Sequence, residues 1–209
     1  MPRMTPKPLR RIDGASRRVR ILETATELFS RAGYAGATMK ELARACAITE
    51  PALYRYFPSK ESLYGAVLGS VKTRIDVAAF LRELEQSDDL SEVLSGLARF
   101  IISQYTKYNE LSRLLLQCSL EGHPQAEQAF TDLRRPFVDF LARKLRRLRR
   151  RGVIRNVNPI ITARCFVGMV MDCALCQQLW QRVQGKAFKP EVVIANNIPI
   201  YVNGLIRRK

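Results

Sequence analysis

Two helix-start signals stand close together near the beginning of this 209-residue chain, and they leave little choice about the segment between them. In Thr38-Met39-Lys40-Glu41 the threonine hydroxyl can cap the backbone amide near Glu41 while the glutamate reaches back, a reciprocal capping box. In Thr49-Glu50-Pro51 a second cap is followed by an acid and by a proline in the first turn, where the missing N–H costs nothing. The first helix must therefore end by about Cys46, with Ala47-Ile48 as a tight connection. The second runs to about Phe57, because Pro58 stops it. Two short helices joined by so tight a turn form a helix-turn-helix.

The flanking segments are also helical. From Arg17, the spacing of Ile21, Ala25, Leu28 and Phe29 makes one apolar face, and Gly33 is placed to stop the helix in a left-handed cap. Ser59 can cap a fourth helix from Glu61, with Leu63, Val67, Leu68 and Val71 pointing one way. No stretch shows sustained period-two alternation, and further helices are expected over about 90–108, 110–121, 125–150, 159–182 and 190–207. The fold class is all-α: an N-terminal three-helix helix-turn-helix head and a larger helical domain, about nine helices in all. Residues 1–15 hold Pro2, Pro6 and Pro8, with Arg3, Lys7, Arg10 and Arg11 against Asp13 alone, and read as a flexible basic arm. The head then occupies 16–75 and the second domain 76–209.

A net charge of +16 points to a polyanionic partner, which charge alone leaves open among nucleic acid, anionic membrane and acidic ligand. The five cysteines are scattered through apolar helical stretches, so reduced thiols are expected. The N-terminus has no apolar core of a signal peptide, and no stretch offers about 18 uninterrupted apolar residues for a span. The expectation is a soluble, cytoplasmic protein with no membrane partner. Cys173-Ala-Leu-Cys176 invites a metal or redox reading, but a metal site needs about four ligands and the single histidine, His123, lies far off in sequence. No metal and no cofactor is expected. With no glycine-rich phosphate loop and no paired-metal spacing, neither is an enzyme.

The resemblance to a known family rests on more than the turn. Ile21-x-x-x-Ala25-x-x-Leu28-Phe29-x-x-x-Gly33-Tyr34, Thr38, Leu42-Ala43, Ile48-Thr49, Leu53-Tyr54-x-Tyr56-Phe57 and Ser59-Lys60-Glu61-x-Leu63 together resemble the N-terminal signature of the TetR family of transcriptional regulators. The resemblance implies a head whose helix over 49–57 enters the major groove of double-stranded operator DNA. Leu53 and Phe57 should then face the head's own core, leaving Thr49, Glu50, Ala52, Arg55 and Tyr56 outward. Arg55 is the candidate for base readout, since a guanidinium can bind guanine O6 and N7 in a bidentate way. By the same resemblance Tyr54, Tyr56 and Thr38 would hold phosphates. Lys60, at a helix start, would add a point charge there, and Arg17, Arg18 and Arg20 could reach flanking DNA or, from the arm, a minor groove. Thr38 and Thr49 serve equally well as caps, and Tyr54 as head packing. Two departures matter. Ala47 stands where glycine commonly makes the turn, and Ala52 replaces a more usual hydroxyl residue while Glu50 adds an acid.

In the second domain, Asn158-Pro159 opens a helix with two apolar stripes. Ile160, Ala163, Val167, Val170 and Ala174 form one, and Phe166, Met169, Cys173, Cys176 and Trp180 the other. One stripe can pack at home and the other on a second subunit, which matches the family's usual homodimer through the last two helices. Leu111, Leu114, Leu115, Leu116 and Leu120, with Phe100, Tyr105, Phe130, Phe137 and Phe140, could wall a pocket for a small-molecule effector or simply form a core. The run Arg143-Lys144-x-Arg146-Arg147-x-Arg149-Arg150-Arg151, with Leu141, Leu145 and Leu148 inside, reads as a solvated face that adds nonspecific DNA attraction. The functional expectation is a ligand-responsive repressor binding a pseudo-palindromic operator as a dimer. The alternative is a basic-surface helical protein binding nucleic acid or membrane without operator specificity.

Overall fold

The structure, a computed structural model, describes the backbone of residues 14–74, 76–120, 122–179 and 189–207, and their side chains except 71–74, 118 and 176–179. Among the described residues are ten helices. They are α1 (Gly14–Gly36), α2 (Met39–Ala45), α3 (Glu50–Tyr56), α4 (Lys60–Arg74), α5 (Val77–Glu85), α6 (Leu90–Lys107), α7 (Asn109–Leu120), α8 (Pro124–Arg150), α9 (Pro159–Leu179) and α10 (Pro190–Leu205). The only β pairing among them is one antiparallel bridge between Ile154 and Ile206. Residues 1–13 of the basic arm and Trp180 lie outside the described residues, as do the side chains of Val71, Cys118 and Cys176. The chain divides into two compact units, Met1–Val67 and Leu68–Lys209, with the division inside α4.

In the first unit the apolar positions of α1 do what their spacing requires. Ile21, Ala25 and Phe29 are buried, as are Leu42, Leu53, Phe57, Leu63 and Tyr64. Phe29 meets the Tyr64 ring edge-on at 5.3 Å, and Tyr34 lies 4.7 Å from Tyr64. The expected left-handed cap at Gly33 is not what forms. Gly33 has φ 71 and ψ 172, a kink after which helical turns resume as far as Gly36. That ψ lies outside the left-handed helical region, in a territory open essentially to glycine alone. Gly33→Ala is therefore expected to destabilise the first unit by about 1–2 kcal/mol, the strain being partly offset by a less flexible unfolded chain. Denaturant melts followed by circular dichroism measure it.

The turn between α2 and α3 is left-handed at Ala47, with φ 53. Its backbone is nonetheless well tied: Ala47 N–H donates to Arg44 O at 3.1 Å and Ile48 N–H to Ala43 O at 3.0 Å. The geometry is thus kept against the preference of an alanine. Ala47→Gly is expected to raise the stability of this unit by about 0.5–1 kcal/mol, a gain visible as a higher unfolding temperature in calorimetry.

The second unit has one continuous core built from α6, α8 and α9, closed by α10, with Leu97, Leu141, Leu145, Ala163, Phe166 and Val167 fully buried. Asn158 caps α9 by accepting from Ile160 N at 3.0 Å and Ile161 N at 3.2 Å. The two-stripe expectation for this helix needs correction. Ile160 is 51% exposed rather than internal, and Phe166 is buried against Tyr201 of α10, ring edge to face at 5.2 Å. The outward side of α9 carries Ile161 and Cys165 instead. Two helices carry a proline in their interior, Pro136 in α8 and Pro199 in α10.

Helix α5 was not expected. Asp76 caps it by accepting from Ala79 N at 2.9 Å, and Val77, Phe80, Leu81 and Leu84 pack half-buried on the core. Gly96 lets Leu84 approach α6 so closely that a Cβ there would lie 2.9 Å from a Leu84 methyl. The carboxyl end of α5 is held from α8. Lys144, 1% exposed, donates to Glu85 O at 2.7 Å and lies 3.7 Å from the Glu85 carboxylate. Arg147 pairs with Asp88 and, at 3.6 Å, with Glu85, while Arg151 reaches Asp88 at 3.2 Å. These guanidiniums hold the Asp88 carboxyl below the usual carboxylate range. Arg149 donates to Val157 O at 3.0 Å. The arginine-rich run is therefore only partly a solvated face, since half of it ties down neighbouring loops.

Candidate nucleic-acid interface

The capping box at Thr38 forms in full. Glu41 N–H donates to the Thr38 hydroxyl at 3.2 Å, while the Thr38 N–H and hydroxyl both donate to the Glu41 carboxylate, at 3.0 and 2.8 Å. These hydrogen bonds hold the Glu41 carboxyl below its ordinary range. Both the acceptor and the hydrogen of the Thr38 hydroxyl are thus engaged, so a phosphate contact there requires its hydrogen to be redirected. Thr49 differs. Its oxygen accepts from Ala52 N at 3.3 Å, which leaves its hydrogen able to point outward from an exposed residue.

Leu53 and Phe57 are buried, at 0% and 1% exposure, and fix the orientation of α3. As a result Thr49, Tyr54 and Arg55 are exposed, and Glu50, Ala52 and Tyr56 are half-buried. Tyr54, at 44% exposure, stands well clear of the head's core. These six residues share one short helix, so a rigid element carries them all into whatever α3 meets.

Lys60 is placed differently from its neighbours. Its ammonium donates to Tyr34 O at 2.9 Å and Ala37 O at 3.0 Å, and it lies 4.4 Å over the Tyr34 ring. Two of its three N–H groups thus close off the carboxyl end of α1. Arg18 plays the matching part for α3, donating to Tyr56 O at 3.3 Å with its guanidinium 4.4 Å over the Phe57 ring. Both cations stitch the unit together, a role that sequence spacing gave no means to foresee. Arg17 and Arg20 are exposed and flank a cleft of about 200 Å³ beside the α2–α3 turn, with Thr24 and Cys46 on its walls. Burial pushes the Cys46 thiol up from its usual range.

The second unit holds a separate candidate site. A small, partly open cavity of about 20 Å³, room for roughly one water, is lined by Tyr105, Leu111, Leu115 and Phe137 among others. All four are among the residues singled out as possible pocket walls. Leu120, also singled out, is instead 80% exposed. No group of three or more metal-ligating side chains occurs among the described residues, and no described helix is long and apolar enough to cross a membrane.

Comparison with known proteins bears on both units. Residues 21–67 match the family described as bacterial regulatory proteins, tetR family. The HTH-type transcriptional repressor AcnR of Corynebacterium efficiens is 30% identical over 156 residues, 74% of this chain and 78% of that protein. The HTH-type transcriptional regulator UidR of Escherichia coli is 26% identical over 155 residues, 73% of this chain and 76% of that one. Among solved structures, AibR in complex with isovaleryl coenzyme A and operator DNA superposes with a TM-score of 0.67 at 26% identity, over 88% of this chain and 97% of that chain.

Proposed function

Since this chain belongs to the TetR family of bacterial transcriptional regulators, we propose that it is a repressor that grips a pseudo-palindromic operator as a homodimer and lets go when a small molecule occupies its second unit. The observation that carries this reading is the outward face of α3. Thr49, Tyr54 and Arg55 are exposed on a helix whose inner face and both ends are fixed by buried and capping groups. Arg55 would read a guanine edge, and Thr49, Tyr54 and Tyr56 would position the backbone, with Glu50 and Ala52 shaping which base is accepted. Lys60 and Thr38 support the helices that do this; Lys60 keeps a third N–H for phosphate, while Thr38 reaches it only by redirecting the hydrogen that now meets Glu41.

The dimer reading is supported by the outer faces of the last two helices. Ile160, Ile161, Val192 and Ile200 are each more than half exposed, an unusual set of aliphatic side chains to leave in water. Two heads related by a twofold axis would meet two half-sites of an inverted repeat. The protein works in the cytoplasm, where the DNA is, and no catalytic role belongs to this reading.

Selection of bound fragments from random duplex DNA tests it, scored at moderate salt so that plain phosphate attraction is suppressed. The expected product is an inverted repeat. Binding that recovers no motif, fades smoothly with salt and survives loss of Arg55 would instead mean a basic surface without operator specificity.

A further inference from the structure

An open groove of about 290 Å³ lies between α8 and α9. One face of α8 forms its floor, with Phe130, Arg134 and Val138 each one turn apart and Arg135 and Asp139 beside them, and Arg164 faces it from α9. Three guanidiniums thus meet one carboxylate among the described lining residues.

Arg134 is the unusual member. It is half-buried, and its guanidinium lies 5.3 Å from the centre of the Phe130 ring. A Cβ on Gly168 of α9 would stand 3.7 Å from Arg134 Nη2, so the fork lies close against α9, one turn along from Arg164. Its charge also reaches inward to the Tyr105 phenol of α6, where it opposes the upward push of burial. Among the described residues neither Arg134 nor Arg164 makes an ion pair, and Arg135 is held only loosely, 3.9 Å from Asp132. Further along the chain the pattern differs, since Lys144, Arg147, Arg149 and Arg151 each serve a carbonyl or a carboxylate. A cation partly withdrawn from water without a counter-charge is costly, and a bound anion removes that cost.

We propose that this groove binds an amphiphilic anion, whose carboxylate or phosphate oxygens are taken by the Arg134 and Arg164 forks and whose apolar part lies along Phe130 and Val138. A guanidinium suits either oxyanion, because its planar fork can donate two parallel hydrogen bonds. The two forks stand on different helices, so the anion would clamp α8 to α9. That the anion acts as the effector rests on the reading that the second unit takes one, whereas the binding site stands without it.

The test uses the full-length protein, alone and on its selected operator, with octanoate, octyl phosphate and octylammonium below their micellar concentrations. In calorimetric titrations at physiological salt, at least one anion is expected to bind at least about tenfold more tightly than octylammonium. The tighter of the two anions tells a carboxylate ligand from a phosphate one. Arg134→Gln and Arg164→Gln should each weaken that anion at least about tenfold, and Arg134→Lys, which keeps the charge and loses the fork, about threefold. Asp139→Asn removes the carboxylate from the groove and should tighten binding about two- to threefold, a gain that impaired folding cannot mimic. Arg143→Gln, on the same helix beyond the described lining, should change binding by less than about twofold. An equal loss in Arg143→Gln and Arg134→Gln would mean diffuse attraction to a basic protein and overturns the site. Octylammonium binding as tightly as the anions, or neither anion binding, overturns it too. An anion that binds through both arginines yet leaves the operator in place keeps the site and overturns its effector role, whereas release of the operator joins the two.

Discussion

Replacing Arg55 with alanine is expected to weaken operator binding by about 10- to 100-fold per half-site, the worth of one bidentate contact to a guanine edge. The loss should be concentrated at one base position. At that position the variant should tolerate substitutions that the parent protein rejects, while its preferences elsewhere in the half-site stay the same. Arg55 is exposed on α3 between two half-turns locked by Leu53 and Phe57, so its removal disturbs no packing, and the unfolding temperature should not move. Arg55→Lys separates charge from geometry, since lysine keeps the charge and loses the planar fork. Fluorescence anisotropy on the selected operator and its single-base variants measures affinity and base preference, and thermal melts the unfolding temperature. Lysine performing as well as arginine would mean that this position sees only phosphate.

The second large effect concerns Lys144. Lys144→Ala is expected to destabilise the second unit by about 3–4 kcal/mol, and Lys144→Met by about 2 kcal/mol. The difference isolates two contributions. Methionine keeps most of the buried stem and loses only the ammonium that serves the Glu85 carbonyl, a backbone acceptor at the end of α5 with no donor of its own helix. Alanine also leaves a hole where the buried stem of Lys144 stood. The ion pair itself is a minor part, because the Glu85 side chain is 45% exposed and an exposed partner contributes little. Glu85→Gln should accordingly change stability by no more than about 0.5 kcal/mol. Denaturant melts decide it, and a methionine variant as stable as the parent would show that the carbonyl finds water instead.

The elements most legible in the sequence are those with chemical punctuation. Thr38, Thr49 with Pro51, Ser59 and Asn158 each announce a helix start through a side-chain oxygen that meets a backbone amide, and each is found doing so. The left-handed turn at Ala47 was signalled only by the family resemblance, in which glycine commonly stands there. What could not be read is whatever depends on a partner far along the chain. Lys60 serves carbonyls 23 and 26 residues away, a supporting role that no local spacing shows. Arg18 is bonded 38 residues off and Lys144 59 residues off. Helix α5 escaped notice although Asp76 is a fair cap and its apolar residues follow a helical spacing, because nine residues give too few repeats to stand out between longer neighbours. On α9 both sides are apolar, so periodicity alone could not say whether Phe166 or Ile160 faces inward, and only packing against Tyr201 decides.

Pro199 interrupts α10 in a way that bears on how strictly two copies could pair. Having no N–H, it leaves the carbonyl of Ala195, an exposed residue one turn back on a helix that also exposes Val192 and Ile200, without its in-helix donor. An aliphatic surface by itself is permissive, since one methyl slides past another at small expense. A carbonyl set among those methyls is not, because it must meet a donor or retain a water whenever that surface is covered. The proline therefore gives an otherwise slippery patch a fixed point, one that would penalise a shifted register and discriminate against helices of related regulators that share the greasiness without the matching donor.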